Sequence, residues 1–425
     1  MNLHAALPGI PTNKPVQDAP PADLPRKPRI ALYSHDTCGL GHMRRNLLLA
    51  RTFARTLDAD ILMITGARES NSLAIPDGVD MLTLPSLFKL PDGTYRPRQF
   101  QFGIRDLISI RSRIIRTALE SFRPDVFIVD NVPRGVMSEL DEVLRYLRLR
   151  TTTRCILGLR DILDHPEAVE KEWAVRENVL AIRTYFDAVW IYGDPDIYDM
   201  TEACAFPADL RRMVSFTGYL DAQAAPAVNR PAAPAFPFAR QSFNLCTVGG
   251  GQDGIHVASL FSVASPRQRY PGLILTGPFM PSEARQRLAV AAARHKRLAT
   301  LAFTPDPTLI YKKARSVVAM GGYNTTCELL SIGKPLLVIP RIRPRQEQWI
   351  RARRLHELGL LSAVYPSEVT IKGILDWLTR DHTPIDDLRR RINLNGLSRL
   401  PHLIAGHLPV HSAPLPQTAE RYVAC

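Results

Sequence analysis

Short, almost uninterrupted apolar runs alternate with helix-like stretches along most of the chain. In the first half these runs are RIALYS (29–34), DILMIT (60–65), DVFIVD (125–130), RCILGL (154–159) and DAVWIY (187–192). In the second half they are FNLCTV (243–248), GLILT (272–276), RLATLAF (297–303), SVVAM (316–320) and PLLVIP (335–340). Continuous apolar strands separated by helices are typical of parallel sheets covered on both faces. The pattern predicts an α/β protein with two Rossmann-like domains, whose ligands bind beyond the carboxyl ends of the strands.

Two proline-rich tracts divide the chain. Residues 1–28 contain seven prolines and no periodic apolar pattern, which predicts a disordered leader. The tract 222–240 is rich in proline and alanine and predicts a linker between domains. We therefore expect an N-terminal domain over 29–221, a C-terminal domain over 241–400 and a tail over 401–425.

Composition narrows the class of protein. A hydrophobic content of 45% with 22% charged residues fits a globular protein, and no apolar run is long enough to span a bilayer. The first residues lack the pattern of a signal peptide, so we expect a cytoplasmic protein, with a peripheral position at the inner membrane face left open. The net charge of +13 favours anionic partners, but no nucleic-acid-binding signature accompanies it. The six cysteines are scattered and predict neither a zinc site nor a disulfide framework.

A glycine loop follows the first predicted strand, in the segment SHDTCGLGHMRRN (34–46). Apolar residues then recur at helical spacing, so Gly39 and Gly41 precede the N-terminus of a helix, where the helix dipole favours an anion. A dinucleotide-binding fingerprint would have a third glycine at the position of Arg44. An NAD site is therefore not expected.

Histidine and aspartate side chains near this loop carry candidate chemistry. His42 can take a proton near neutral pH as a general base, and a histidine that caps or packs the loop is the alternative. His35 and Asp36 could orient a base or the acceptor, although Asp36 fits an Asx turn equally well. Asp130, which closes DVFIVD, is a candidate for the base or its partner, or it caps the next turn.

A second glycine loop, VGGGQDG (248–254), follows the first strand of the second half. The glycines around Gly250 and Gly251 let the backbone approach a phosphate closely, with Gln252 beside them. The alternative is a permissive turn between a strand and a helix. The position after the first strand favours phosphate.

The segment MGGYNTTCELL (320–330) repeats the order of strand, glycine pair and helix. Thr325 and Glu328 have the spacing of a capping box, in which both side chains satisfy backbone N–H groups. The same residues suit a nucleotide sugar, with Gly321, Gly322 and the threonine hydroxyls on a diphosphate and Glu328 on a sugar diol. Both interpretations use the same geometry and stay open.

Two further segments are rich in arginine. RIRPRQEQWIRARR (341–354) follows PLLVIP, and Arg345, Gln346 and Gln348 begin a helix there, so we expect at least one of them to turn into the cleft. The segment 104–122 combines leucine and isoleucine with four arginines. Such a helix can lie on anionic lipid, but we favour a core-packing helix with a solvated basic face.

The segments GGYNTTCELL, IGKPLLVIPRIRPRQEQWIRARRLHELGL and SHDTCGLGHMRRN resemble those of glycosyltransferases with the GT-B fold. The C-terminal domain is similar to that of family 28 enzymes, such as the N-acetylglucosaminyl transferase that makes the second lipid-linked intermediate of peptidoglycan. The resemblance covers about residues 29–400 and implies two Rossmann-like domains that face an interdomain cleft. It also implies a nucleotide-sugar donor held mainly by the second domain and an acceptor held mainly by the first.

The resemblance assigns roles by position. Glu328 would bind the donor ribose, Gln346 and Gln348 the sugar hydroxyls, and the backbone near Phe303 and Thr304 the base. The donor site that it implies comprises Gly250, Gly251, Gln252, Phe303, Thr304, Gly321, Gly322, Asn324, Thr325, Thr326, Glu328, Arg345, Gln346 and Gln348. His35, Gly39, Gly41 and His42 would lie on the acceptor side. The chain departs from the family transferase, which has Ala-Leu-Thr where this sequence has Tyr323-Asn324-Thr325.

We therefore expect an inverting glycosyltransferase that moves a sugar from a nucleoside-diphosphate sugar, with UDP as the nucleotide, to a hydroxyl acceptor that is lipid-linked or an anionic glycan. Inversion needs a base, for which His42 and Asp130 are the candidates, and stabilisation of the departing diphosphate by helix dipoles and Arg345. The donor is a substrate, so no cofactor is expected. No metal is expected, because no DxD-like pair follows a suitable strand. A nucleotide-sugar epimerase of the same fold and a non-catalytic nucleotide-sugar-binding protein are the alternatives.

Overall fold

The computed structural model describes residues 26–36, 41–67, 74–90, 93–225, 236–304, 306–382 and 388–409. The leader up to residue 25, the middle of the proline- and alanine-rich tract and the tail after residue 409 lie outside these ranges. Gly39 of the first glycine loop also lies outside them.

Nine strands are described in the first half of the chain. They are β1 (Arg29–Ser34), β2 (Asp60–Thr65), β3 (Val79–Thr83), β4 (Leu87–Lys89), β5 (Tyr95–Pro97), β6 (Val126–Asp130), β7 (Arg154–Arg160), β8 (Ala188–Tyr192) and β9 (Val214–Phe216). Seven of them form a parallel sheet in the order β3-β2-β1-β6-β7-β8-β9, while β4 and β5 form a separate antiparallel hairpin. All five predicted strands are confirmed, and the sequence pattern missed β3, β9 and the hairpin.

Helices cover both faces of this sheet. They are α1 (Gly41–Thr56), α2 (Ile104–Phe122), α3 (Asp141–Arg150), α4 (Pro166–Val175), α5 (Asn178–Tyr185), α6 (Met200–Ala203) and α7 (Ala208–Met213). Neighbouring residues of β1 show the two faces, because Ile30 and Leu32 enter one apolar core while Ala31 and Tyr33 enter another. The uninterrupted apolar strands predicted this burial on both sides.

The second half of the chain forms a second parallel sheet. Its strands are β10 (Phe243–Thr247), β11 (Gly272–Leu275), β12 (Leu298–Leu301), β13 (Ala314–Ala319), β14 (Leu336–Val338) and β15 (Ser362–Ala363). They are ordered β12-β11-β10-β13-β14-β15. The helices that follow are α8 (Ile255–Ala264), α9 (Ser282–Ala293), α10 (Thr308–Lys313), α11 (Tyr323–Ile332), α12 (Glu347–Glu357), α13 (Ile371–Thr379), α14 (Leu388–Arg391) and α15 (Gly396–Ala405). The predicted two-domain α/β class is confirmed.

The last helix connects the two halves. Leu397, Leu400 and Ile404 are buried on one side of α15, at helical spacing, and α15 packs against α1 of the first domain. The Tyr219 carbonyl, just after the first sheet, also accepts the Gly396 backbone N–H at 3.0 Å. The chain therefore returns to the first domain before residue 400, where the sequence analysis placed a boundary, because this helix needs a core for its apolar side.

Helix α2 is a core helix, with one correction to its expected basic face. Leu107, Ile115 and Leu119 are buried, as a core-packing helix requires. Arg111 was expected in the solvated face, but it is fully buried and binds both oxygens of Glu139 at 2.6 and 2.8 Å. An arginine on the inner side is tolerated because this carboxylate neutralises it. In the part of the chain that the structure describes, no helix is long and apolar enough to cross a membrane.

Candidate active site between the two sheets

The carboxyl ends of strands from both sheets meet across an interdomain cleft. Hydrogen bonds and ion pairs join its walls. The Asn324 amide donates to the Gly41 carbonyl at 2.9 Å, and the Tyr323 hydroxyl donates to the Tyr192 carbonyl at 2.8 Å. Arg351 of α12 binds both oxygens of Asp161 at 2.6 and 2.7 Å. The N-termini of α1 and α11 therefore lie next to each other.

Asp36 contacts the first turn of α1 and the end of β2. One of its carboxylate oxygens accepts the Met43 backbone N–H at 3.1 Å. The other accepts the hydroxyls of Thr65, at 2.6 Å, and Ser34. Burial raises the pKa of Asp36. Both oxygens are therefore engaged in local structure, while the residues that an Asx turn at Asp36 would involve lie outside the described ranges.

His42, Asp130 and Arg45 form a compact cluster on the first-domain wall. His42 Nδ1 lies 2.5 Å from Asp130 Oδ2. Arg45 donates to the same carboxylate from Nε at 2.9 Å and from Nη2 at 2.6 and 2.8 Å. Asp130 is completely buried, whereas the His42 side chain keeps 17% of its surface exposed. The fold therefore brings together the two catalytic candidates, which lie 88 residues apart in the chain.

The charge state of Asp130 fixes the arrangement of the His42 ring. Burial alone would raise the pKa of Asp130, but the Arg45 guanidinium and His42 outweigh it and hold the pKa at about 2. An ionised carboxylate only accepts hydrogen bonds, so His42 Nδ1 carries a hydrogen and donates it. The lone pair of the neutral ring is then on Nε2, the atom that a general base would use.

His35 packs beside this cluster. Its ring centroid lies 5.0 Å from that of His42. Burial, reinforced by His42, lowers the pKa of His35 well below its usual value. Its Nδ1 atom is buried with no hydrogen-bond partner among the described residues. His35 is therefore a neutral neighbour of His42.

The VGGGQDG loop interlocks with the loop that follows β11. The Gly250 carbonyl accepts the Phe279 backbone N–H at 2.8 Å. Gly251 has φ +90°, and a Cβ atom there would lie 2.1 Å from the Thr276 carbonyl oxygen. The turn itself therefore requires glycine at 251, whereas Gln252 is exposed at the rim. On the same side of the cleft, Phe303 is half-buried and the buried Thr304 hydroxyl donates to the Asp306 carbonyl at 3.1 Å.

Helix α11 begins at Tyr323, with Gly322 as its N-cap and no capping side chain. Thr325 lies inside the first turn, so the capping-box interpretation of Thr325 and Glu328 is wrong. A Cβ atom at Gly322 would meet nothing within 4 Å, so the space beside this N-cap residue is open. One turn further, Thr326 and Glu328 are buried. The Thr326 hydroxyl has no hydrogen-bond partner within the described ranges.

Glu328 lies near Tyr311 of α10. Burial raises the pKa of Tyr311 to about 12, and the Glu328 carboxylate contributes to this shift. Arg44 of the first domain opposes it, so its guanidinium also reaches this region from across the cleft. The donor-site candidates of α11 therefore face a residue of α1.

Residues of the arginine-rich segment contact the first domain and also contact one another. Arg345 binds Glu172 at 2.8 Å and lies 3.6 Å from Asp164, both in the first domain. The Gln346 backbone N–H donates to Asp164 at 2.8 Å. Gln348 is buried, and its side-chain oxygen accepts the Arg341 backbone N–H at 3.1 Å. Arg345 and Gln346 therefore reach the other wall of the cleft, as expected for at least one residue of this segment.

The sequence analysis did not identify several charged residues of the cleft, namely Arg45, Arg160, Asp161, Glu347 and Arg351. A signal was available for Arg160 and Asp161, since charged residues directly follow the buried strand RCILGL. Arg351 lay within the arginine-rich segment, but its position there did not distinguish it from the exposed Arg353.

Residues 262–394 match the model of the glycosyltransferase family 28 C-terminal domain. A 93-residue stretch is 36% identical to the NDP-glycosyltransferase YjiC of Bacillus licheniformis, covering 20% of this chain and 23% of that protein. The chain therefore spans less than a quarter of the curated relative that it matches. The resemblance to family 28 is confirmed for the second domain.

Solved structures match nearly the whole chain. The kitacinnamycin glycotransferase is 17% identical with a TM-score of 0.58, covering 91% of this chain and 100% of that chain. A structure assigned as a UDP-N-acetylglucosamine 2-epimerase from Listeria monocytogenes is 13% identical with a TM-score of 0.60. The match covers 92% of this chain and 98% of that chain. The chain has the GT-B fold. Transferases and an epimerase share this architecture, so the fold alone does not select the reaction.

Proposed function

We propose that the protein is an inverting glycosyltransferase that uses a nucleoside-diphosphate sugar and needs no metal ion. The observation that carries the proposal is the His42–Asp130 pair on one wall of the cleft, facing the glycine-rich N-terminus of α11 on the other. The family 28 domain over 262–394 supports a nucleotide-sugar donor in the second domain. Among the described residues, no group of histidine, cysteine, aspartate and glutamate side chains could hold a metal ion.

On the donor side, the diphosphate would lie in front of Gly321 and Gly322. The first N–H groups of α11 point there, and the helix dipole favours negative charge. The Thr325 and Thr326 hydroxyls would add donors, and Glu328 would bind the ribose diol. The uracil base would lie near Phe303 and Thr304. As the bond to the sugar breaks, these donors would stabilise the charge that grows on the diphosphate.

On the acceptor side, His42 Nε2 would take the proton of the acceptor hydroxyl. The acceptor oxygen then forms a bond to the anomeric carbon, while the bond from that carbon to the diphosphate oxygen breaks and the diphosphate leaves with the electron pair. Attack from the face opposite the leaving group inverts the anomeric centre. Asp130 would hold the ring and stabilise the imidazolium that forms, as the carboxylate does in other histidine-based systems.

The test measures thermal stabilisation by a panel of nucleoside diphosphates and nucleotide sugars. A ligand that binds the folded protein raises its Tm with concentration. We expect UDP to stabilise the wild type, and Glu328→Ala to lose at least most of this response while it still folds. His42→Ala is the matched control, because it removes a cleft side chain from the acceptor wall and should keep the donor response. If no nucleotide stabilises the wild type, the donor site is wrong.

Product analysis then separates the transferase from its alternatives. His42→Ala should bind the donor and fail to transfer the sugar. An epimerase would convert the nucleotide sugar without any acceptor, and a binding protein would release no nucleotide.

A lipid-linked acceptor is part of the proposal because Phe88, Phe100 and Phe102 are exposed near α2, with the last two rings stacked at 4.7 Å. Transfer assays with and without anionic vesicles test that part, since a soluble glycan acceptor would need no vesicle.

A further inference from the structure

Most arginines around the cleft have a carboxylate of their own. The pairs, each joined by a hydrogen bond of 2.6 to 2.8 Å, are Arg45 with Asp130, Arg351 with Asp161, Arg345 with Glu172 and Arg341 with Glu347. In each pair the positive charge is neutralised within the protein. These four arginines therefore contribute no net charge to the cleft.

Arg160, the last residue of β7, differs from these four. Its Nε atom donates to the Asn131 side chain at 3.3 Å, which is its one side-chain hydrogen bond to the described residues. Its Nη1 atom lies 3.9 Å from Glu347, too far for a hydrogen bond, and that carboxylate already binds Arg341 at 2.8 Å. Arg160 therefore has no carboxylate within hydrogen-bond distance among the described residues.

The burial of Arg160 makes its positive charge energetically costly. Only 17% of its side chain is exposed. Burial lowers the pKa of Arg160 to about 10. Glu347 opposes this shift, while the guanidinium groups of Arg45, Arg351 and Arg345 add to it. A guanidinium that is largely removed from water and has no carboxylate within hydrogen-bond distance gains when an anion binds to it.

Its position relates this charge to the reaction. Asp130 pairs in register with Gly158 of β7, so Arg160 lies two residues further along the neighbouring strand, on the same edge of the sheet as the His42–Asp130 pair. Asn131, which accepts its hydrogen bond, directly follows Asp130. The guanidinium therefore lies in the cleft, between Asn131 of the first domain and Glu347 of the second.

We propose that Arg160 binds an anionic group of a substrate, a phosphate or a carboxylate, on the first-domain wall of the cleft. Its planar guanidinium can donate two parallel hydrogen bonds to either group. The anion has two sources, the diphosphate of the donor or a charged group of the acceptor. The assignment of these sources rests on the proposed function, but the anion site itself does not.

The experiment uses the full-length chain and isothermal titration. Arg160→Gln removes the charge, Arg160→Lys keeps it without the planar fork, and Arg113→Gln is the control, since it removes one charge from the exposed side of α2. UDP, uridine and inorganic phosphate are the probes, and phosphate is titrated into both the unliganded and the UDP-saturated protein. A charge-assisted contact of this kind corresponds to about tenfold or more in affinity.

If the anion is the donor diphosphate, Arg160→Gln weakens the binding of UDP by about tenfold or more and leaves the binding of uridine unchanged. If it belongs to the acceptor, UDP binding is unchanged and the UDP-saturated variant loses the phosphate binding seen in the wild type. If Arg160→Gln fails to fold, Arg160→Lys replaces it in the test. Its affinity for the same probe should fall by about threefold or more. The inference is overturned if Arg160→Gln binds UDP and phosphate as Arg113→Gln does.

The result is separate from that of the proposed function. If UDP does not bind the wild type, the proposed donor site fails, and phosphate titration of the unliganded wild type and Arg160→Gln still decides whether Arg160 binds an anion. Equal phosphate titrations of these two proteins would then overturn the anion site as well.

Discussion

At the scale of single residues, Arg45 determines the arrangement of His42 and Asp130. Its guanidinium makes three contacts of 2.6 to 2.9 Å with the Asp130 carboxylate and lies over the Tyr192 and Tyr323 rings. A buried carboxylate without this partner would take up a proton more readily, because burial disfavours its charge. Arg45 therefore keeps Asp130 ionised, and the ionised carboxylate in turn keeps the Nδ1 hydrogen on His42.

The stability that Asp130 contributes should depend on pH. Its pKa is about 2 in the folded protein against a usual 3.8, so the contribution is complete above about pH 5 and is lost as the pH falls through 2. At pH 7, Asp130→Asn should lower the free energy of unfolding by about 3 kcal/mol or more, because Arg45 keeps a buried charge without its partner. The difference from wild type should be about 1 kcal/mol smaller at pH 3, measured by urea unfolding.

A control separates this effect from general acid destabilisation. Asp60→Asn replaces an exposed carboxylate at the start of β2 and should differ little from wild type at either pH. A stability difference for Asp130→Asn that stays constant from pH 7 to pH 3 would contradict the low pKa of Asp130.

The sequence could identify His42 and Asp130 as candidates, because His42 comes after one predicted strand and Asp130 closes another. It could not identify Arg45 as their partner, since Arg45 and Asp130 are 85 residues apart and only the fold brings them together. Asp161 and Arg351, separated by 190 residues, were missed for the same reason. A charged side chain next to a motif has many possible partners until the neighbouring strands are known.

At the scale of elements, the two glycines before α11 have different tasks. Gly321 has φ +77°, and a Cβ atom there would lie 2.5 Å from Val338 Cγ1. Gly322 has φ −59°, which any residue adopts, and its Cβ position is open. Of these two positions, only 321 requires glycine for the fold itself. A bound diphosphate would supply the reason for glycine at 322.

The pair Gly321→Ala and Gly322→Ala tests this division. Gly321→Ala should lower the free energy of unfolding by about 1–3 kcal/mol through backbone strain and overpacking. Gly322→Ala should cost less than about 1 kcal/mol and weaken UDP binding about tenfold, since a methyl group would occupy the space in front of the helix. Urea unfolding and UDP titration measure both effects. Normal UDP binding by Gly322→Ala would contradict the proposed position of the diphosphate.

Most of the strands that the sequence predicted are largely buried, although the half-buried edge strand β12 was predicted as well. Strands such as β1, β6 and β10 are covered on both faces, so their apolar runs are uninterrupted. The missed strands β9 and β15 lie at sheet edges, with two or three half-buried residues each. Partial exposure admits polar residues, and the periodic signal is then too short to distinguish a strand from a loop.

At the scale of the whole molecule, a buried ion pair helps to hold the two domains together. Arg351 and Asp161 each expose 1% of their side chains, and Tyr219 donates to the same carboxylate at 3.2 Å. Arg351 also donates to the Gly321 carbonyl at 3.3 Å, next to the proposed diphosphate position. The contact that fixes the domains therefore also supports the backbone of the candidate donor site.

A double-mutant cycle measures what this pair contributes. Asp161→Asn or Arg351→Met alone should lower the free energy of unfolding by about 3–5 kcal/mol, because each leaves a buried charge without its partner. The double variant should lose clearly less than the sum, since no unpaired charge remains. Urea unfolding supplies the values, and the exposed pair Arg116 and Glu120, mutated in the same way, should show no measurable coupling. Additive losses for Asp161 and Arg351 would mean that the two side chains act separately, and that other contacts of the cleft hold the domains in place.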